Sequence, residues 1–157
     1  MSVTRKRVVL YHEHDSTRDN LKLATGRLAE LFALRDRVAI EAVLRLYGKI
    51  DAVIAELTHS NSAAIPTLAF ARETHPHAKR ILLVEGSALQ FAYHALHDGT
   101  VQSYYIQPTR PEQLAEMLGL PSVAERRAPD NLVIARQLNV QPPLTGGRRA
   151  NSSPSLR

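Results

Sequence analysis

The stretch Asp51-Ala52-Val53-Ile54-Ala55-Glu56-Leu57 is a short apolar run broken near its end by one carboxylate. A run of this length, rich in β-branched and small residues, suits a strand buried on both faces, as in a parallel sheet. In an open α/β sheet, ligands and chemistry collect at the carboxyl ends of the strands, where Glu56 falls. What stands beside Glu56 is therefore the functional question.

Outward from this strand, Ala52–Leu57, apolar runs alternate with amphipathic segments. Val8–Tyr11 reads as a strand. Ser16–Leu31 repeats Leu21, Ala24, Leu28 and Leu31 at helical spacing, with Asp15 or Ser16 placed to accept from the first backbone N–H groups. Phe32–Leu34 is a weak strand. Arg37–Tyr47 is helical through Val38, Ala42 and Leu46, and Gly48 follows as a stop. Ala63–Thr74 is helical, with Ile65, Leu68 and Ala69 on one face, and Arg80–Val84 is a buried strand. Ala88–Leu96 is helical and ends in the Asp98-Gly99 turn. Val101–Ile106 is a strand, and Pro111–Leu118 is a last helix with Pro111 near its first position, where a missing N–H costs nothing. Strands and helices in strict alternation predict an α/β fold: a five-stranded parallel sheet with helices on both faces, compatible with the flavodoxin-like doubly wound class.

The expected domain spans residues 5–119, and 120–157 form a tail interrupted by Pro121, Pro129, Pro142, Pro143 and Pro154. Within the tail, Leu132, Ile134, Ala135 and Leu138 allow a short helix at 130–139, and Gln141 onward has the composition of a disordered segment. The net charge is +5, yet residues 1–119 carry 14 Lys and Arg against 13 Asp and Glu. The excess lies in the tail, with six basic residues against Glu125 and Asp130. A nucleic-acid-binding fold carries its charge on a folded face, so nucleic acid is not the expected partner. The chain has no Cys, which excludes disulfides, thiolate metal sites and Cys nucleophiles and suits a reducing compartment. The apolar run at Val8–Tyr11 is too short for a signal-peptide core, and no segment approaches the roughly 20 apolar residues that span a bilayer. A soluble, cytoplasmic protein is the expectation.

The residues at the predicted strand ends are His12-Glu13-His14-Asp15, Glu56 with His59, Val84-Glu85-Gly86-Ser87, and Gln107-Pro108. Together with Arg7–Leu21, Asp51–Leu57, Arg80–Gly86 and Tyr104–Leu114, they resemble the CheY-like receiver domain of response regulators. The most specific passage is His97-Asp98-Gly99 through Gln107-Pro108 to Pro111-Glu112-Gln113-Leu114. It matches the receiver pattern of a Gly turn, the fifth strand, a Lys-Pro pair and a Pro-Glu-x-Leu helix start. Arg18 falls where many receivers carry Arg. The resemblance covers roughly residues 5–119 and implies the receiver strand order and a role in two-component signalling, a phosphorelay system of bacterial type.

It also implies a site whose chemistry has changed. Receivers hold Mg²⁺ through an acidic pair, matched here by His12 and Glu13, and phosphorylate an Asp, matched by Glu56. The Thr or Ser that reads the phosphoryl group is matched by Val84, the Lys that contacts it by Gln107, and the aromatic switch by Tyr104. Glu carries one more methylene than Asp, and a misplacement on the order of 1 Å can cost about a hundredfold in a positioned reaction. Imidazole is a poor ligand for hard, octahedral Mg²⁺. Val84 donates no hydrogen bond, and Gln107 brings no charge to a transition state. The expectation is a pseudo-receiver: no enzyme, no cofactor, Mg²⁺ binding weakened or lost, and Glu56 bonded to Gln107 or paired with a protonated His12. Output would come from docking a protein partner, or a second copy, on the face of the fourth helix, fifth strand and fifth helix, with Tyr93, Tyr104 and Tyr105 as anchors.

Two alternatives stay open on the same fold. One is a chemically live receiver using Glu13 or Asp15 as a surrogate acceptor. The other is a metal- or small-ligand sensor at His12, Glu13, Glu56 and His59, a donor set suited to Zn²⁺. His75 and His77 in a loop, and His94 and His97 on a helix surface, are expected in solvent.

Overall fold

The computed structural model describes residues 4–127. The expected helix at 130–139 and the segment from Gln141 lie outside them. Five strands form one sheet in the order β2-β1-β3-β4-β5, with every neighbouring pair parallel. They are β1 Lys6–Tyr11, β2 Ala29–Leu34, β3 Ala52–Leu57, β4 Lys79–Val84 and β5 Ser103–Ile106. The helices between and after them are α1 Asp15–Thr25, α2 Arg37–Leu46, α3 Ala64–Thr74, α4 Leu89–His97 and α5 Pro111–Met117, with a single 3₁₀ turn at Gly86–Ala88. This is the flavodoxin-like doubly wound fold. The compact unit runs to Val123. A short helix α6, Val123–Arg127, was not anticipated by the sequence pattern.

Strand alternation sorts the core into two layers. Val53, Ala55 and Leu57 of β3 join Ile40 and Leu44 of α2, Leu68 and Ala71 of α3, and Ala92 and Ala95 of α4. Ala52 and Ile54 join Leu21 and Ala24 of α1 and Leu114 and Leu118 at α5 on the opposite face. Every residue of β3 is buried, Glu56 included. Full burial of a Leu or Ile is worth about 1.5–3 kcal/mol, so the central strand is held firmly from both sides. That rigidity is what fixes Glu56 in position.

Several local expectations are corrected. The first helix ends at Thr25 rather than Leu31. Gly26 takes φ 52°, which L residues avoid, and its N–H bonds the Lys22 carbonyl. Leu31 is therefore a strand residue, and β2 begins at Ala29 instead of Phe32. Neither Asp15 nor Ser16 caps α1; His14 occupies the N-cap without a capping side-chain bond, and Asp15 is inside the first turn. On α2 the core face is Ile40 and Leu44, whereas Val38 and Leu46 are 72% and 75% exposed. Asp36 caps this helix by accepting from the Val38 and Ala39 N–H groups. On α3 the buried face is Ala64, Thr67, Leu68 and Ala71. The last strand starts at Ser103 rather than Val101; just before it, the Gln102 N–H donates to the Arg80 carbonyl and the Gln102 side chain accepts from the Arg80 N–H.

At the amino end of the sheet, Arg80 is buried and its guanidinium donates to the carbonyls of Thr100, Gly99, Ala78 and Pro76. It ties the turn before β5 to the turn before β4. Burial pushes its pKa down from the usual guanidinium value. His75 is also buried, contrary to expectation, and its Nε2–H donates to the Leu44 carbonyl at 2.6 Å. His77, His94 and His97 are exposed.

Candidate functional site

The carboxyl ends of β1, β3, β4 and β5 meet at one edge of the sheet. A cleft of about 220 Å³ opens there, lined by His14, Ser16, Thr17, Glu56, Glu85, Gln107 and Pro108. Glu56 lies at its base, with 1% of its surface exposed. A carboxylate at that depth needs donors to replace its lost hydration. Among the described residues, the donors bonded to it come from the loop between β1 and α1. Oε2 accepts from the Glu13 N–H at 3.0 Å and the His14 N–H at 3.3 Å, and Oε1 accepts from His14 Nδ1–H. Both carboxylate oxygens are thus engaged. The expected partners of Glu56 are corrected: neither Gln107 nor His12 bonds it, and His14 does.

The His14 ring is half exposed. The bond to Glu56 raises its pKa above the usual imidazole value, assisted by the nearby Glu13 and Glu85 carboxylates. His12 behaves oppositely. It is buried, and burial, with Arg35 and Arg18 nearby, lowers its pKa. Of these two histidines it is His14 whose protonated form the surroundings favour, and the sequence pattern did not single it out.

Glu13 turns away from Glu56. One of its oxygens accepts from Thr58 Oγ1 and the other from Ser60 Oγ, at 3.1 Å for the second. Asp15 accepts from Arg35 and is 3.2 Å from Arg18. Gln107 donates to Thr17 Oγ1 at 3.3 Å and accepts from Thr109 at 3.0 and 3.1 Å, so its carboxamide is spent on the neighbouring loop. Val84 is fully buried in the core layer on the other side of the sheet. Its neighbour Glu85 lines the cleft instead and accepts from the His59 backbone N–H at 3.2 Å. The correction has a simple cause. Side chains alternate along a strand, Leu83 of β4 faces the same layer as Ile54, and the next residue on that side is Glu85.

The proposed metal set of His12, Glu13, Glu56 and His59 is not assembled. Glu13 and Glu56 are each bound to other groups, and the His59 side chain is exposed. Among the described residues, no three His, Asp or Glu side chains are grouped to hold an ion.

On the face of α4, β5 and α5, the Tyr93 and Tyr104 rings meet edge-on, with centroids 5.8 Å apart. Tyr93 is exposed, and Tyr104 is half-buried against the core layer of α2, α3 and α4. Tyr105 is half-buried against the opposite layer, the one that holds Leu114 and Ala115 of α5. Leu96 and Ile106 add exposed apolar surface that the sequence pattern did not pick out, whereas the exposed Phe91 lies on the other flank of α4, beside Ile65 and Pro66 of α3.

No protein-family model matches the sequence, and no curated protein is similar to it in sequence. Solved structures are similar in fold. A structure described as an adenylate cyclase from Rhodopirellula baltica aligns with a TM-score of 0.66 at 14% identity, covering 87% of this chain and 98% of that one. A response regulator from Thermotoga maritima aligns with a TM-score of 0.62 at 18% identity, covering 74% and 96%. The receiver domain of AraT, a response regulator from Geobacillus stearothermophilus, aligns with a TM-score of 0.60 at 20% identity, covering 85% and 99%. These likenesses establish the receiver fold.

Proposed function

We propose that this chain is a receiver-type signalling module in a two-component pathway that works without phosphoryl transfer and acts by docking a protein partner. One observation carries the reading. The carboxylate at the phosphoacceptor position, Glu56, has both oxygens bound by the β1–α1 loop. An acceptor must present a free oxygen in line with the phosphoryl donor, with cationic groups ready for the charge that develops. The cleft is lined instead by a second carboxylate, Glu85, and by a Gln107 committed to Thr17 and Thr109. The surrogates are no better placed, since Glu13 is held by Thr58 and Ser60, and Asp15 by Arg35.

In this reading the module is not an enzyme and needs neither Mg²⁺ nor another cofactor. Its output surface is the α4–β5–α5 face, with Tyr93, Leu96 and Ile106 as exposed apolar groups. Aromatic anchors give large contact area at low entropic cost. The absence of Cys supports a cytoplasmic setting, and among the described residues no helix is long and apolar enough to cross a membrane. Acetyl phosphate or beryllofluoride with Mg²⁺ tests the reading: no phosphoryl adduct and no conformational response are expected, and stoichiometric labelling of a carboxylate would overturn it.

A further inference from the structure

We propose that this chain pairs with a second copy of itself through the open edge of β2 and the uncharged flank of α2, joining two sheets into one. β2 ends the sheet, and its residues are paired on one side only, with β1. The ladder fixes which groups point outward. The Leu34 carbonyl accepts from the His12 N–H, and Leu34 stands opposite Tyr11. In a parallel pair the N–H and C=O of one residue point the same way, and the direction alternates along the strand. Glu30, Phe32 and Leu34 therefore face β1, and the N–H and C=O groups of Ala29, Leu31 and Ala33 face away from it, where no described strand pairs with them. Proteins guard such edges with Lys, Pro, a bulge or a very short strand. β2 has six residues, no Lys, no Pro and an unbroken register, and its one charge, Glu30, is taken up by Arg7 at 3.3 Å.

α2 continues this surface. Its side chains form four rows at i, i+4 spacing. Ile40 and Leu44 are the core row. Ala39, Val43 and Tyr47 are half-buried, and the Tyr47 ring meets Phe32 of β2 with centroids 4.9 Å apart. Val38, Ala42 and Leu46 form the next row, in solvent. At 72% and 75%, Val38 and Leu46 are the most exposed large apolar side chains among the described residues. The charges keep to the fourth row, where Arg37 pairs with Glu41 and Arg45 lies over Phe70 of α3. An uncharged surface thus runs from β2 across α2, bordered at Tyr47 by Arg7, which lies over that ring. Charge selects the occupant. In a two-fold contact each patch meets itself, so a charged patch would repel its copy. Here the bordering charges are paired within the chain, Arg7 with Glu30 and Arg37 with Glu41. Antiparallel pairing of two β2 strands sets the outward groups of Ala29, Leu31 and Ala33 against the same groups of the copy. Both α2 helices then lie on one face of the joined sheet, with their uncharged rows toward the seam. The α4–β5–α5 face is at the other edge, so the dimer presents it twice, whatever the chemistry of Glu56.

The test is the mass of the full chain in solution by sedimentation equilibrium, with amide hydrogen exchange as the local readout. The parent chain is expected to be a dimer at micromolar concentration, with the Leu31 and Ala33 amides protected. Val38→Glu combined with Leu46→Glu, both at exposed positions, should give a monomer of unchanged circular dichroism and release those amides. Mixing that variant with Val38→Lys combined with Leu46→Lys should restore the dimer. Tyr93→Ser combined with Ile106→Ser should leave the dimer intact. A monomeric parent chain, a dimer that survives the two Glu substitutions, no recovery on mixing, or a dimer lost in Tyr93→Ser with Ile106→Ser overturns the proposal.

Discussion

The His14 imidazole donates through Nδ1–H to Oε1 of Glu56, joining a ring that is 53% exposed to a carboxylate that is 1% exposed. A charge this deep is costly when unpaired, so the bond is worth more to the fold than a surface ion pair of the same geometry. It also takes the acceptor oxygen out of reach of a phosphoryl donor.

The pair makes stability depend on pH with a definite sign. Because the folded state raises the His14 pKa, its contribution is fully present below the unfolded imidazole value of about 6.5 and is lost as pH rises through the raised value. His14→Ala is expected to cost about 1 kcal/mol at about pH 5.5, after allowing for solvent screening of a half-exposed ring. The cost should shrink towards about pH 9. Urea unfolding of both chains at the two pH values checks this.

Among the described residues no carboxylate is bonded to Arg80, and its guanidinium is used on four backbone carbonyls. Arg80→Met keeps the stem and strands those acceptors. It should destabilise the domain by about 3 kcal/mol, measured by chemical denaturation, with no effect on the cleft.

The two faces of α2 are separated by one pair of substitutions. Leu44→Ala removes a side chain that is 1% exposed and should cost about 2–5 kcal/mol, whereas Leu46→Ala, at a position 75% exposed, should stay within about 0.5 kcal/mol.

The docking face should be separable from stability. Tyr93→Ser and Ile106→Ser alter positions that are 55% and 52% exposed, so each should leave thermal unfolding nearly unchanged, within about 0.5 kcal/mol. A photo-crosslinker at Leu96 should form an adduct with a partner, or with a second copy, in the parent chain and lose it in the double variant.

These residues show what was legible before the fold was known. The alternation of apolar runs gave the five strands and their order of appearance, because buried parallel strands leave a local imprint. The choice of helix face did not follow so simply. On α2, Val38 and Leu46 are as apolar as Ile40 and Leu44, and tertiary packing decides between them. Glu85 was within reach, since counting by twos along β4 places it on the Glu56 side and Val84 in the core. The His14–Glu56 bond was not, because it joins residues 42 apart through the path of a loop.

The most direct measurement is intact-mass analysis of the full chain after incubation with acetyl phosphate and Mg²⁺, with beryllofluoride binding followed in parallel. The account predicts an unchanged mass and no beryllofluoride adduct, because Glu56 is already held by Glu13 and His14. A stoichiometric phosphoryl group mapped to Glu56, Glu13 or Asp15 would contradict it.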